Sequence, residues 1–225
     1  MPTLQRTDEV FVLDLGEGEN RFTLEWMDAV LAAFDEVDAA DGPRALVTTA
    51  TGKIWSNGLD LDWLIANPGD AGGYIDKVQA VFSRPLTCTV PTVAALQGHT
   101  FAGGGLFALA HDTRMMRADR GFFCLPEVDL GIPFAPGMSL LVQSKLTPDT
   151  AVEAMLTGRR YGGTDAAAAG IVSAALAEDE LLPAAVAAAA ALAPKAGKPL
   201  RTIRTTMFRE TISLLAQPAV LDIPG

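Results

Sequence analysis

Apolar and polar positions fall into two recurring patterns along this chain. Val10-Phe-Val-Leu-Asp-Leu15 is a short, mostly apolar run closed by Gly16 and Gly18, which predicts a strand. Leu24, Met27, Leu31, Phe34 and Val37 then recur at three- and four-residue steps, with Glu25, Asp28, Asp35 and Asp38 between them. That spacing predicts an amphipathic helix from Leu24 to about Ala39, with Thr23 as its N-cap and Asp41-Gly42-Pro43 as its stop.

The alternation continues. Residues 45–49 and 92–96 are short apolar runs and predict buried strands, and 113–116 and 121–124 predict two more. A glycine-containing loop is expected at 51–60, followed by a helix beginning near Leu61. Asn67-Pro-Gly-Asp70 and Gly72-Gly73 break the next region, so a second amphipathic stretch is confined to 74–82, before Arg84-Pro85. Residues 98–105 interrupt the fold with glycines, and a helix starts at Leu106. Beyond Pro136-Gly137 the pattern is helical except for a short Ile171-Val-Ser173 piece, and 200–215 reads as one helix. The alanine runs at 166–169 and 184–193 are helix formers, suited to close packing or to a solvent-facing filler helix.

Strands alternating with helices indicate an α/β architecture with a covered sheet. No repeat of fixed period is evident, and no linker separates a second domain.

Composition narrows the function. The 225 residues carry 27 acidic against 17 basic groups, a net charge of −10. With a pI near 4.6 and no Lys/Arg-rich tract, nucleic acid is not an expected partner. The longest apolar run, 184–193, is too short to span a bilayer, and the first ten residues hold no signal-like apolar stretch. Cys88 and Cys124 form no C-x-x-C pair, so neither a disulfide scaffold nor a zinc site is expected. A cytoplasmic protein acting on a small molecule or on another protein is the expectation that remains.

Three segments carry the candidate chemistry: Lys53-Ile-Trp-Ser-Asn-Gly-Leu-Asp-Leu61, Gln97-Gly-His-Thr-Phe-Ala-Gly-Gly-Gly-Leu106, and Leu125-Pro-Glu-Val-Asp-Leu-Gly-Ile-Pro133. Three glycines ahead of an apolar helix leave backbone N–H groups uncovered at a positive dipole end, which suits a phosphate or an oxyanion. Tight helix–sheet packing explains such glycines equally well. Neither the P-loop nor the dinucleotide fingerprint is matched. Gly58 sits at a second strand–loop–helix transition, where the Leu59 N–H would offer another donor.

Glu127 lies among Phe122, Phe123, Leu125, Pro126, Val128 and Leu130. Two readings stand: a desolvated carboxylate of raised pKa, hence a stronger base, or a surface glutamate at a strand end. His99 and His111 read as packed structural histidines rather than general bases. Asp60 and Asp62 read as loop or cap residues, and Cys124 as a small buried hydrophobe. Asp129 would share a face with Glu127 if that segment were extended.

Taken together and in order, W-S-N-G-L-D-L, G-H-T-F-A-G-G-G and L-P-E-V-D-L-G-I-P resemble the crotonase (enoyl-CoA hydratase/isomerase) superfamily over residues 10–172. The stretch from Ala110 to Phe123 further resembles the monofunctional Δ3,Δ2-enoyl-CoA isomerases of the plant type. The resemblance implies a spiral of stacked ββα units over residues 1–175 and a short C-terminal helical region over 176–225. It implies an acyl-CoA thioester substrate, no cofactor or metal, and a homotrimer or dimer of trimers.

It also implies Glu127 as the catalytic acid/base and the N–H groups of Leu59 and Gly104 as an oxyanion hole. Ser56, Asn57, Gly58, Leu59, Asp60 and Leu61 would border CoA, and Phe101, Phe107, Leu130, Pro133 and Phe134 the acyl pocket. Hydratases of the family carry a second glutamate where this chain has Phe107. Hydration needs a water held between two carboxylates, whereas moving a double bond needs one base, so the chain leans towards isomerase. Phe107 is expected to dry the pocket. Other enolate reactions, namely hydration, thioester hydrolysis or decarboxylation, and a non-catalytic CoA-thioester-binding protein are the alternatives. Arg201, Arg204 and Arg209 would either meet CoA phosphates or form a solvated basic face.

Overall fold

The computed structural model describes residues 1–218. In chain order its elements are β1 (Thr3–Thr7), β2 (Val10–Asp14), α1 (Leu24–Ala39), β3 (Ala45–Thr49), β4 (Ile54–Ser56), α2 (Leu61–Ala66), α3 (Ala71–Thr87), β5 (Thr92–Leu96), β6 (His99–Phe101) and α4 (Gly103–Ala110). There follow β7 (Thr113–Arg117), β8 (Phe123–Cys124), α5 (Glu127–Leu130), α6 (Pro136–Lys145), α7 (Pro148–Thr157), α8 (Gly163–Ala168), β9 (Ala174–Leu176), α9 (Glu178–Leu192), α10 (Lys198–Met207) and α11 (Arg209–Leu215).

The strands divide between two sheets. One runs β1-β2-β3-β5-β7-β9 and is parallel apart from the β1–β2 hairpin; the other is the small parallel sheet β4-β6-β8. Successive strand pairs β3/β4, β5/β6 and β7/β8 each give their first strand to the large sheet and their second to the small one, then enter a helix. This is the expected winding of ββα units. Its turns differ greatly in length, because α2 and α3 both follow β4 while α4 alone follows β6. Unequal turns conceal the repeat from any search at fixed period.

Alternation of side chains distributes the core over both faces of the large sheet. Ala45, Val47, Val93 and Ala95 point to one face, where Leu181, Ala185, Ala189 and Ala193 of the α9 region form an i, i+4 stripe against them. The alanine run is thus a close-packing surface. Leu46, Ala94 and Leu96 point to the opposite face, into the main core with α1, α3 and α4.

Several local expectations need correction. The exposed β1 and the three-residue strands β4 and β6 lie where terminus and loop were expected, since segments this short carry too little periodicity to register. Neither Gly72-Gly73 nor Pro85 breaks α3, because the buried stripe Tyr74, Ile75, Val78, Val81, Phe82 and Leu86 outweighs them. The non-helical piece at 171–173 leads directly into a last strand, Ala174–Leu176. The segment 200–215 is two helices parted at Phe208. No helix among the described residues is long and apolar enough to cross a membrane.

Candidate active site

The site forms where the small sheet hands its strands to helices. β4 leaves Ser56 fully buried, its Oγ donating to Asn20 O at 2.7 Å and accepting from Gly58 N at 3.0 Å. Gly58 adopts φ +77°, and a Cβ there would meet Gly103 N at 2.5 Å and Gly104 N at 3.0 Å. A Cβ on Gly104 would overlap Ser56 O. These glycines therefore bring two backbones into contact, which only residues without side chains allow. Packing and donor presentation turn out to be one arrangement, not rivals.

The glycines are also the first turn of α4 rather than a loop ahead of it. Helix geometry leaves their N–H groups without an intrahelical acceptor. Neither Leu59 N–H nor Gly104 N–H donates to any acceptor among the described residues. Ala102, the residue before the helix, is held at φ +50°, ψ −125°, a conformation a side chain rarely adopts. Strain of this kind concentrates where a backbone must aim at a ligand.

Glu127 begins the single-turn helix α5, which Gly131 closes in the left-handed conformation at φ +68°. Ile132 N donates back to Glu127 O at 3.0 Å and fixes the turn. Glu127 is 8% exposed and its Oε2 is buried without a partner. Desolvation pushes its carboxyl up to about 7, and its own backbone amide offsets this only in part. The strand-end reading is corrected by this helical turn. Within it Asp129 does not share a face with Glu127 and lies exposed, as do Phe122, Val128 and Leu130 of the expected apolar surroundings.

An apolar pocket, partly open to solvent, joins these parts. Asn57, Leu59, Leu61, Ala102 and Leu106 line one part, and Leu130, Ile132, Pro133, Phe134 and Met138 the other, with Glu127 the one ionisable side chain in the wall. Of the predicted loop residues, Asn57, Leu59 and Leu61 reach the pocket. Ser56, Gly58 and Asp60 shape the loop behind it: Asp60 caps α2 through Trp63 N at 3.3 Å, and its own N–H donates to Tyr74 Oη at 2.8 Å.

Leu130, Pro133 and Phe134 are pocket residues, but Phe101 and Phe107 are not. Phe107 is fully buried on the far side of α4, with Phe22, Trp26, Phe34, Trp55 and His111 around its ring. One residue along a helix is a rotation of about 100°, so its neighbour Leu106 supplies the apolar wall expected of it. Phe101 stands on β6 beside His99, under the Arg160 guanidinium. Ala102, Leu106, Ile132 and Met138 escaped the sequence reading; for Leu106 the glycine turn one helical turn upstream was the usable signal.

His111 is buried, with Nδ1 2.9 Å from Phe107 O and Nε2 2.9 Å from Thr48 Oγ1. A carbonyl only accepts, so Nδ1 carries the proton and Thr48 donates to Nε2. Burial lowers its pKa to about 3, so it stays neutral and structural. Arg204 is neither a phosphate ligand nor part of a solvated face: it is buried and ion-paired with Asp112 at 2.6 Å. Among the described residues no cluster of His, Cys, Asp and Glu is composed to hold a metal ion.

A family model described as Enoyl-CoA hydratase/isomerase matches residues 7–223. The chain is 32% identical over 228 residues to the peroxisomal enoyl-CoA delta isomerase 2 of Arabidopsis thaliana, covering 96% of this chain and 95% of that one. It is 34% identical over 223 residues to enoyl-CoA delta isomerase 3 of the same plant, covering 93% of each. In fold it is similar to the crystal structure of human mitochondrial delta3-delta2-enoyl-CoA isomerase, with a TM-score of 0.88 at 23% identity over 95% of this chain and 85% of that one.

Proposed function

The chain belongs to the enoyl-CoA hydratase/isomerase family, and from that premise we propose that it isomerises 3-enoyl-CoA to trans-2-enoyl-CoA using Glu127 as its one base. The observation that carries this reading is a partnerless buried carboxylate as the sole ionisable group of an apolar pocket.

Glu127 takes a proton from C2, and the electrons of that C–H bond move into the thioester to give a dienolate. The oxygen of the dienolate accepts from Leu59 N–H and Gly104 N–H, donors already oriented before charge appears. Glu127 then returns the proton to C4, the thioester carbonyl re-forms, and the double bond lies between C2 and C3. Hydrogen leaves and returns as a proton, so the step calls for no redox cofactor. Leu59, Leu106 and Met138 keep water from the dienolate and from the base. The same reading takes the enzyme as a homotrimer or dimer of trimers.

Product analysis by mass spectrometry and ultraviolet absorbance on a panel of 3-enoyl-CoA thioesters tests the reading. Trans-2-enoyl-CoA is the expected product. A 3-hydroxyacyl-CoA as main product would overturn it in favour of hydration, and thioester binding without turnover in favour of a non-catalytic role.

Two further expectations follow from the same groups. The base must be ionised, so kcat/KM is expected to rise with pH through an apparent pKa of about 7 and to fall about tenfold per pH unit below it. An acid limb near pH 4.5, typical of a solvated glutamate, would contradict a desolvated base. Gly104→Ala would force a methyl group into Ser56 and push the α4 amides away from Leu59. Loss of one such donor costs about 10²–10³-fold in kcat, and steady-state kinetics on the folded variant reads it.

A further inference from the structure

The carbonyl end of α4, opposite its glycine turn, is sealed by one buried and one half-buried cation, neither with an anionic partner among the described residues. Arg114 Nη1 donates to Leu109 O at 3.3 Å and to His111 O at 2.9 Å, while Nε donates to Ile171 O at 2.7 Å. Lys145, the last residue of α6, donates from Nζ to His111 O at 3.2 Å and lies 4.2 Å from the centre of the Phe208 ring. His111 donates to Phe107 O. The one carboxylate nearby, Asp112, is engaged by Arg204 and by Thr92. Among the described residues neither Arg114 nor Lys145 reaches a carboxylate within ion-pair distance.

Such an arrangement is costly unless the charge is used, since buried cations ordinarily pair. Its location gives the use. An eight-residue helix has its negative pole only about 12 Å from its positive one, so the carbonyl end would cancel part of the potential that its amides offer to an anion. Cations on the carbonyl end remove that cancellation and add their own positive potential.

We propose that Lys145 and Arg114 are positioning residues for the reaction, acting through α4 to strengthen the hold of the Gly104 amide on the enolate oxygen. This rests on the functional reading above. The helix length plus a hydrogen bond at each end puts the charge about 18 Å from the enolate oxygen, and through an effective dielectric of about 20 it alters the rate about fivefold. The lysine gives the effect a pH signature. Burial, and then Arg114, lower its pKa to about 7, against an opposing pull from Asp112. The groups facing it are Asp112, Arg114, Arg204 and His111, which burial keeps neutral. Glu127 must lose its proton for any turnover and Lys145 must keep its own for the full rate, so wild-type kcat/KM rises from low pH and, as Lys145 loses its proton above about 7, settles at about one fifth of what a permanently charged residue would give.

Three variants test this. Lys145→Gln keeps a donor for His111 O but no charge; at pH 6.5 its kcat is expected to fall about fivefold with KM within about twofold. Lys145→Met is expected to behave likewise and carries the test if the glutamine disturbs packing. Lys145→Arg keeps the charge at all accessible pH and is expected to retain wild-type kcat at pH 6.5 and to exceed it about fivefold above pH 8. Neutral variants with wild-type kcat, or a Lys145→Arg as impaired as Lys145→Gln, would overturn the proposal by assigning the residue to folding alone. Acetoacetyl-CoA supplies a readout without turnover, because its enolate absorbs in the near ultraviolet. A smaller bound enolate fraction on Lys145→Gln than on wild type supports the proposal, and equal fractions overturn it. Wild-type enzyme that binds acetoacetyl-CoA as enolate yet leaves 3-enoyl-CoA unchanged would defeat the isomerase reading alone.

Discussion

Glu127→Gln is expected to reduce turnover of 3-enoyl-CoA by about 10²–10⁴-fold, the usual contribution of a positioned general base. Glutamine has nearly the same shape and cannot shuttle a proton, so the pocket and the CoA contacts stay and KM moves little. The same substitution is expected to stabilise the protein. Glu127 is 8% exposed and its pKa of about 7 lies well above that of an unfolded glutamate, near 4.5. Between those values the folded state binds the extra proton, so stability is greatest below pH 4.5 and falls as pH rises to about 7. The loss is on the order of 3 kcal/mol at higher pH, which the neutral amide avoids. Urea denaturation at pH 5 and pH 8 measures it: the variant should gain on wild type only at the higher pH. A variant no more stable than wild type at pH 8 would mean the carboxylate is solvated, and one with near-wild-type turnover would mean the base lies elsewhere. Activity lost together with stability gained is the mark of a group kept for chemistry at the fold's expense.

Long periodic segments were legible in the sequence. The bounds and Thr23 cap of α1, and the strands at 45–49 and 92–96, follow from apolar spacing and local capping alone. Three-residue strands were not, because β4 and β6 exist through pairing across the small sheet rather than through propensity. Legibility of the site had the same limit. Glu127, Leu59 and Gly104 stood in local motifs, whereas the facing of a side chain is decided by what packs around its helix. Phe107 illustrates this: its ring meets five aromatic neighbours behind α4, so Leu106 faces the pocket instead. Met138 lies on α6, just beyond the pocket residue Phe134, and carried no motif of its own. Arg204 looked like surface charge because its partner Asp112 is ninety-two positions earlier in the chain.

That long-range pair underlies the largest expected loss of stability. Arg204 is 3% exposed. Its Nε donates to Asp112 Oδ1 at 2.9 Å and Nη2 to Oδ2 at 2.6 Å, while Nη1 reaches Cys88 O and Nη2 reaches Val90 O, each at 2.9 Å. One planar guanidinium thus fastens α10 to the end of α3, the approach to β5 and the turn after α4. Arg204→Met leaves two carbonyls and a carboxylate without their cation, a loss of about 3–5 kcal/mol for a broken buried pair. For a chain of this size that lowers Tm by about 6–20 °C. Asp112 keeps its bonds from Thr92 and some access to water, which favours the lower part of that range. Adding Asp112→Asn should restore part of the loss, because it removes the stranded charge. A Tm within 2 °C of wild type would show the clasp to be dispensable. The pocket should feel the loosening too. The adjoining α11 packs on α6, where a Cβ on Gly137 would meet Leu215 N at 2.7 Å, and Met138 beside it is pocket wall. Heat inactivation of Arg204→Met is therefore expected to follow the unfolding of the C-terminal helices.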